Sequence, residues 1–162
     1  MTAFSFKNLE DQIRSLAIFI IVDFMWTTIK RNMKKRILIV DEAWYLMKTQ
    51  SSAEFLWDFA KRARKYNLGL TTITHDIEDF LSTDLGKTIV TNSSIQILMK
   101  QSPAAIDKLA EVFYLSEGEK SLLLSANVGE GLFFAGSSHV AMRVVSSDEE
   151  HQLISTNPTD QQ

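Results

Sequence analysis

The chain has 162 residues, 45% of them hydrophobic and 23% charged, with 6 Gly, 2 Pro and no Cys. This is the composition of one globular domain able to bury roughly 70% of its unfolded surface, which excludes disorder, collagen and a disulfide scaffold. With no cysteine there is no thiol catalysis and no Cys-ligated zinc, a reducing cytosolic home is the default, and a net charge of −3 leaves any nucleic-acid or membrane surface to be local.

The opening stretch, Met1 to Glu10, lacks a basic region leading into an apolar run and does not read as a signal peptide. Leu16 to Ile29 is the greasiest segment. It is shorter than the ~20 residues a bilayer span needs and is interrupted by Asp23, so it reads as a buried helix and no transmembrane segment is expected. Asn8 can cap that helix, which spans about 9 to 33, with Glu10 and Asp11 in its first turn. Lys30 to Arg36 suit its end, where cations belong. Apolar residues around most of its circumference predict burial on more than one side.

Ile37-Leu-Ile-Val40 is a continuous branched run closed by Asp41-Glu42, the pattern of a strand covered on both faces. Ser51-x-x-Glu54 is a capping box opening a helix over about 52 to 66, stopped by Asn67 and Gly69. Residues 70–74 and 95–99 read as two further strands with helical material between them. Strand, helix, strand, helix, strand is the grammar of a parallel α/β sheet.

Beyond the third strand, Ser102-Pro103 and Ser116-x-x-Glu119 each start a helix. Residues 132–135 and 139–145, separated by Gly136-Ser-Ser138, make a C-terminal β-hairpin. Ser147-x-x-Glu150 caps a last short helix, and 157–162 is a polar tail expected to be disordered. No repeat and no domain boundary is visible, so residues 1–156 read as one piece.

The strongest chemical signal is the strand ending in Asp41-Glu42, because open α/β sheets bind ligands at the carboxyl ends of their strands. In nucleotide-hydrolysing motors the first such acid holds the magnesium shell and the second polarises the attacking water. A phosphate cradle is missing: no stretch reads Gly-x-x-x-x-Gly-Lys-Ser/Thr. Gly86-Lys87-Thr88 imitates its tail, but Leu81 stands where the first glycine belongs, and a capped helix beginning near Asp84 explains it. His139 and His151 have no metal-like spacing and read as structural.

Residues 36–47, Arg-Ile-Leu-Ile-Val-Asp-Glu-Ala-Trp-Tyr-Leu-Met, resemble the ATPases of conjugative and type IV secretion systems. The likeness is to the TraC-like, VirB-four class of the HerA/FtsK motor superfamily. The segments 60–70, 72–81 and 129–154 share it, in the same order along nearly the whole chain. The resemblance implies a partial RecA-like P-loop NTPase fold, mainly a parallel sheet with flanking helices, from which the P-loop strand is absent. That strand would lie between the strands at 70–74 and 95–99, which must then either pair directly or leave open edges.

The resemblance makes Asp41 the Walker B acid that holds magnesium through water and Glu42 the catalytic carboxylate. Arg62 and Arg64 fall where the superfamily carries phosphate-sensing arginines, and His75 stands where it usually has a Gln that senses the terminal phosphate. It further implies magnesium and ATP as cofactors of the complete motor, neither held tightly by this chain alone. The partners implied are a hexameric ring, other secretion-channel subunits and a DNA or protein substrate, at the cytoplasmic face of the bacterial inner membrane. The alternative is a non-catalytic interaction module that binds secretion components through an open sheet edge. An unrelated α/β enzyme finds no Ser-His-Asp or paired-carboxylate arrangement to support it.

Overall fold

The computed structural model describes residues 1–6, 9–75 and 77–154. The chain divides into two compact units, Met1–Asn92 and Ser93–Gln162.

The first unit opens with α1 (Asp11–Arg31), two residues shorter at each end than its apolar run predicts. Asn8, the expected cap, lies outside the described residues; Glu10 holds the N-cap position without a side-chain bond. β1 (Arg36–Val40) and β2 (Leu68–Thr72) then pair in parallel, with Arg36 opposite Leu68 and Val40 opposite Thr72. Between them run a 3-10 turn (Ala43–Lys48), α2 (Gln50–Arg62) and a second 3-10 turn (Ala63–Tyr66). The predicted 52–66 helix thus tightens after Arg62. Its cap is Thr49, not Ser51: Thr49 is extended and its Oγ1 accepts from the Ser52 amide, while the Ser52 hydroxyl turns to the Leu46 carbonyl at 2.6 Å. Asn67 stops the second turn in the left-handed region, but Gly69 lies inside β2.

The core is made where α1, α2 and the sheet meet. Trp26 of α1 lies 4.6 Å from Phe59 of α2 and 5.1 Å from Tyr66, ring centroid to ring centroid, and Ile29, Phe59, Ala63 and Leu68 close that cluster. A second cluster gathers Ala43, Leu46, Leu56, Phe80 and Ile89, the last two from α3 (Ile77–Leu81) and α4 (Asp84–Asn92).

Two burial expectations are corrected. β1 is covered on one face: Leu38 and Val40 pack inward, whereas Ile37 and Ile39 are 75% and 62% exposed, because no described element of this unit lies over them. Likewise α1 buries Val22 and Ile29 but leaves Ile13, Leu16, Phe19, Ile20 and Phe24 exposed along one side.

The second unit is a three-stranded antiparallel sheet, β3 (Ile95–Met99), β4 (Glu130–Ala135) and β5 (Ser138–Arg143), in the order β3-β4-β5. β4 and β5 form the expected hairpin, turned by Gly136 at φ +61. Two helices precede it, α5 (Ile106–Phe113) and α6 (Glu117–Ser125), with Leu109 and Leu123 fully buried. Ser102 and Pro103 form a turn ahead of α5 instead of its first residues. Ser116 and Glu119 make the predicted capping box of α6, and Ser147 and Glu150 exchange the same bonds at α7 (Asp148–Ile154). The tail at 157–162 lies outside the described residues.

The architecture is α/β, as read from the sequence, but the third strand pairs with the hairpin and not with β1 and β2. Among the described residues β2 pairs with β1 alone and β3 with β4 alone. The direct pairing of β2 with β3, one of the two arrangements weighed above, is not present among the described residues.

Candidate functional site

The site is built where β1 and β2 end together. Because the strands are parallel and in register, the residues that follow Val40 and Thr72 emerge on the same rim. Two backbone bonds extend the pairing past the strands: the Ile73 amide donates to the Val40 carbonyl at 2.9 Å, and the Ala43 amide to the Ile73 carbonyl at 2.8 Å. They pin the Asp41-Glu42 turn to the end of β2, so a side chain two residues beyond Ile73 meets it.

That residue is His75. Its Nδ1 lies 2.7 Å from Glu42 Oε2. The same oxygen accepts the indole N–H of Trp44 at 2.5 Å. Glu42 itself sits in the left-handed region at φ 52, ψ 44, a conformation that costs a non-glycine residue energy and is found at functional sites. Asp41 Oδ1 accepts the Glu42 amide at 3.0 Å.

Both acids are exposed at this rim. An exposed carboxylate with a single amide on one oxygen retains lone pairs for water, and these suit magnesium, which gives up its own waters reluctantly. Asp41 therefore fits an ion held through its hydration shell. Among the described residues no group of three His, Asp or Glu comes together to hold a metal without other ligands.

The two arginines lie elsewhere. Arg62 ends α2 and pairs with Asp58 at 3.2 Å; Arg64, also exposed, sits in the 3-10 turn that leads into β2. Both are therefore at the amino-terminal end of the strand pair, separated from the acids by the length of β1. That length is about 13 Å at ~3.3 Å per residue. The structure brings Asp41, Glu42 and His75 together and leaves Arg62 and Arg64 apart from them.

The Gly86-Lys87-Thr88 segment is helical, as expected. The Gly86 amide donates to Thr83 Oγ1, Thr88 Oγ1 donates to the Asp84 carbonyl and Lys87 Nζ lies 3.4 Å from Asp84 Oδ1. A Cβ at Gly86 would stand 1.7 Å from the Phe80 carbonyl oxygen, so this glycine serves a close backbone crossing and not a phosphate. In the second unit, His139 Nδ1 lies 3.0 Å from Glu119 Oε1. Trp44 is the site residue that sequence reading missed. An indole two positions after the acid gives no periodic signal, and its donor role depends on the left-handed turn at Glu42.

Two acids closing a strand of a parallel pair and facing a polar residue from the end of the next strand form a rim of the kind at which open α/β sheets bind ligands. The comparisons make the assignment narrower. Residues 4–135 match the family model described as the TraG P-loop domain. The chain is similar to the solved structure of VirB4 of Thermoanaerobacter pseudethanolicus, with a TM-score of 0.80 and 33% identity over 89% of this chain and 40% of that one. No curated protein matches. The chain belongs to the TraG P-loop domain family and is VirB4-like in fold. It spans about two fifths of the length of that VirB4. No helix among the described residues is long and apolar enough to cross a membrane.

Proposed function

We propose that residues 1–156 are the carboxyl-terminal part of a motor ATPase domain that energises conjugative DNA transfer or type IV secretion. This part carries the Walker B acids, and a separate segment supplies the P-loop. The observation that carries the reading is the rim itself: Asp41 and Glu42 leave β1 beside His75, which arrives from the end of the parallel strand β2.

In this reading Asp41 would hold magnesium through water, and the ion would neutralise charge on the nucleotide's phosphates. Glu42 takes the proton of the attacking water, and His75 donates a hydrogen bond to the terminal phosphate. One of Arg62 and Arg64, a strand's length away, acts on the phosphate of the next subunit in a hexameric ring. Other secretion-channel subunits are the ring's partners, at the cytoplasmic face of the inner membrane, and DNA or protein is its substrate.

The test is to mix the chain with a segment that contains a strand, Gly-x-x-x-x-Gly-Lys-Thr and a helix, and to measure ATP hydrolysis. Turnover is expected for the mixture and for neither part alone. Glu42→Gln abolishes it, and Arg62→Ala or Arg64→Ala lowers it by orders of magnitude with the fold intact. Micromolar ATP affinity of the chain alone, measured by calorimetry, or full turnover with both arginines replaced, overturns the reading. A second reading, a non-catalytic module that docks onto secretion components, is favoured by the edges of β2 and β3 that no described strand pairs and by exposed Ile37 and Ile39. Under it Glu42→Gln changes nothing.

A further inference from the structure

Glutamate has three rotatable side-chain bonds, and on an exposed rim nothing obliges it to stand in one place. Glu42 nevertheless has two ring nitrogens converging on a single oxygen: Trp44 Nε1, which donates at 2.5 Å, and His75 Nδ1 at 2.7 Å from Oε2. The pair with His75 is 55% exposed on the Glu42 side and 70% on the histidine side, so it contributes little to stability. The arrangement is better explained by where it puts the carboxylate.

Trp44 is suited to that task because it is itself fixed. Its ring packs against the core cluster of Ala43 and Leu46, stands edge-on to His75 at 5.7 Å and 73°, and carries Lys48 Nζ 4.5 Å over its face. An indole N–H donates and never accepts, so it engages the carboxylate without competing for the proton a base must take. The left-handed backbone at Glu42 turns that residue back toward the 3-10 turn that holds Trp44. With Oε2 so engaged, Oε1 is the oxygen to receive a proton from water.

We propose that Trp44 is a positioning residue for Glu42: its indole N–H, together with His75, holds one carboxylate oxygen and fixes where the base stands. The inference rests on the reading of Glu42 as the catalytic carboxylate. It gives the chain a rigid donor whose removal acts on rate and not on nucleotide binding.

Trp44→Phe keeps an aromatic ring at the site, smaller than the indole, and removes the donor. In the 162-residue chain, labelled for NMR, three-bond couplings report the χ1 rotamers of Glu42. One rotamer is expected in the native chain and averaged values in Trp44→Phe, with amide shifts away from the rim unchanged. In the mixture with the P-loop segment, Trp44→Phe should lower kcat roughly tenfold to a hundredfold, since misplacement by an ångström costs that much, while KM for ATP stays within about twofold. Unaltered couplings, or an unaltered kcat beside a dead Glu42→Gln, overturns the inference. Should Glu42→Gln retain turnover, or the native mixture show none, the functional reading fails and the catalytic sense of this inference falls with it. The couplings then still decide whether the hold exists.

Discussion

Replacing Gly86 by alanine sets two effects against each other, and the geometry decides between them. In a helix interior alanine is favoured over glycine by about 1 kcal/mol, so on propensity alone the variant should be more stable. The new Cβ, however, would lie 1.7 Å from the Phe80 carbonyl oxygen, where ordinary contact begins at 3.4 Å. The end of α3 would have to retreat by about 1.7 Å. It cannot do so freely, because Phe80 and Leu81 are each 2% exposed and Phe80 belongs to the core cluster that includes Ile89 of α4. Overpacking of this kind costs about 1–3 kcal/mol and more where backbone is the obstacle. A cost of about 3 kcal/mol less the propensity gain leaves a net loss of about 2 kcal/mol. All three tryptophans, Trp26, Trp44 and Trp57, lie in the first unit, so their fluorescence during urea unfolding follows the unit that carries the change. The midpoint should fall by about 1 M. A midpoint unchanged or raised would refute the claim that a backbone crossing, and not a loop for phosphate, requires this glycine.

Two substitutions test the second unit. Ser116→Ala removes the hydroxyl that caps α6 and should cost about 1 kcal/mol by thermal unfolding followed by far-ultraviolet dichroism. The hydroxyl and amide of Ser116 hold the Glu119 carboxyl below the usual carboxylate range. Its stabilisation is therefore complete above the ordinary glutamate range and is lost as pH falls through the lower folded value. Ser116→Ala should flatten that acid limb, and an equally steep limb in the variant would remove the cap from the explanation. Gly131→Ala would place a Cβ 2.2 Å from the Leu98 carbonyl oxygen across the β3–β4 ladder. Amides of residues 95–99 should lose hydrogen-exchange protection while the β4–β5 hairpin keeps its own. Undiminished protection on β3 would contradict the contact.

The elements that the sequence discloses are those with a local cause. β3 is found where its apolar run stands, and the capping boxes at Ser116 and Ser147 form because serine and glutamate three apart satisfy each other's backbone. The Asp41-Glu42 turn is legible for the same reason, as an apolar strand ended by charge. Partners remote in sequence are not. Periodicity predicts covered faces for β1 and α1, yet whether anything covers them depends on which other segments are present. A propensity pattern cannot tell whether β3 joins a parallel sheet or a hairpin, since both want the same branched residues. The contact of His75 with Glu42 follows from the register of two strands, and that of Trp44 from a single left-handed residue. Neither leaves a trace in composition.

The borders of β2 and β3 that no described strand pairs have a cellular meaning as well as a geometric one. Each strand is five residues long, enough to template a neighbour but too short to sustain an extended aggregate unaided. With Ile37, Ile39, Ile95 and Ile97 also in water, a copy that finds no complement is the kind of species that chaperones retain and proteases remove. If, as proposed above, a separate segment completes the sheet, the steady-state amount of this polypeptide follows the supply of that segment, because the surplus is turned over.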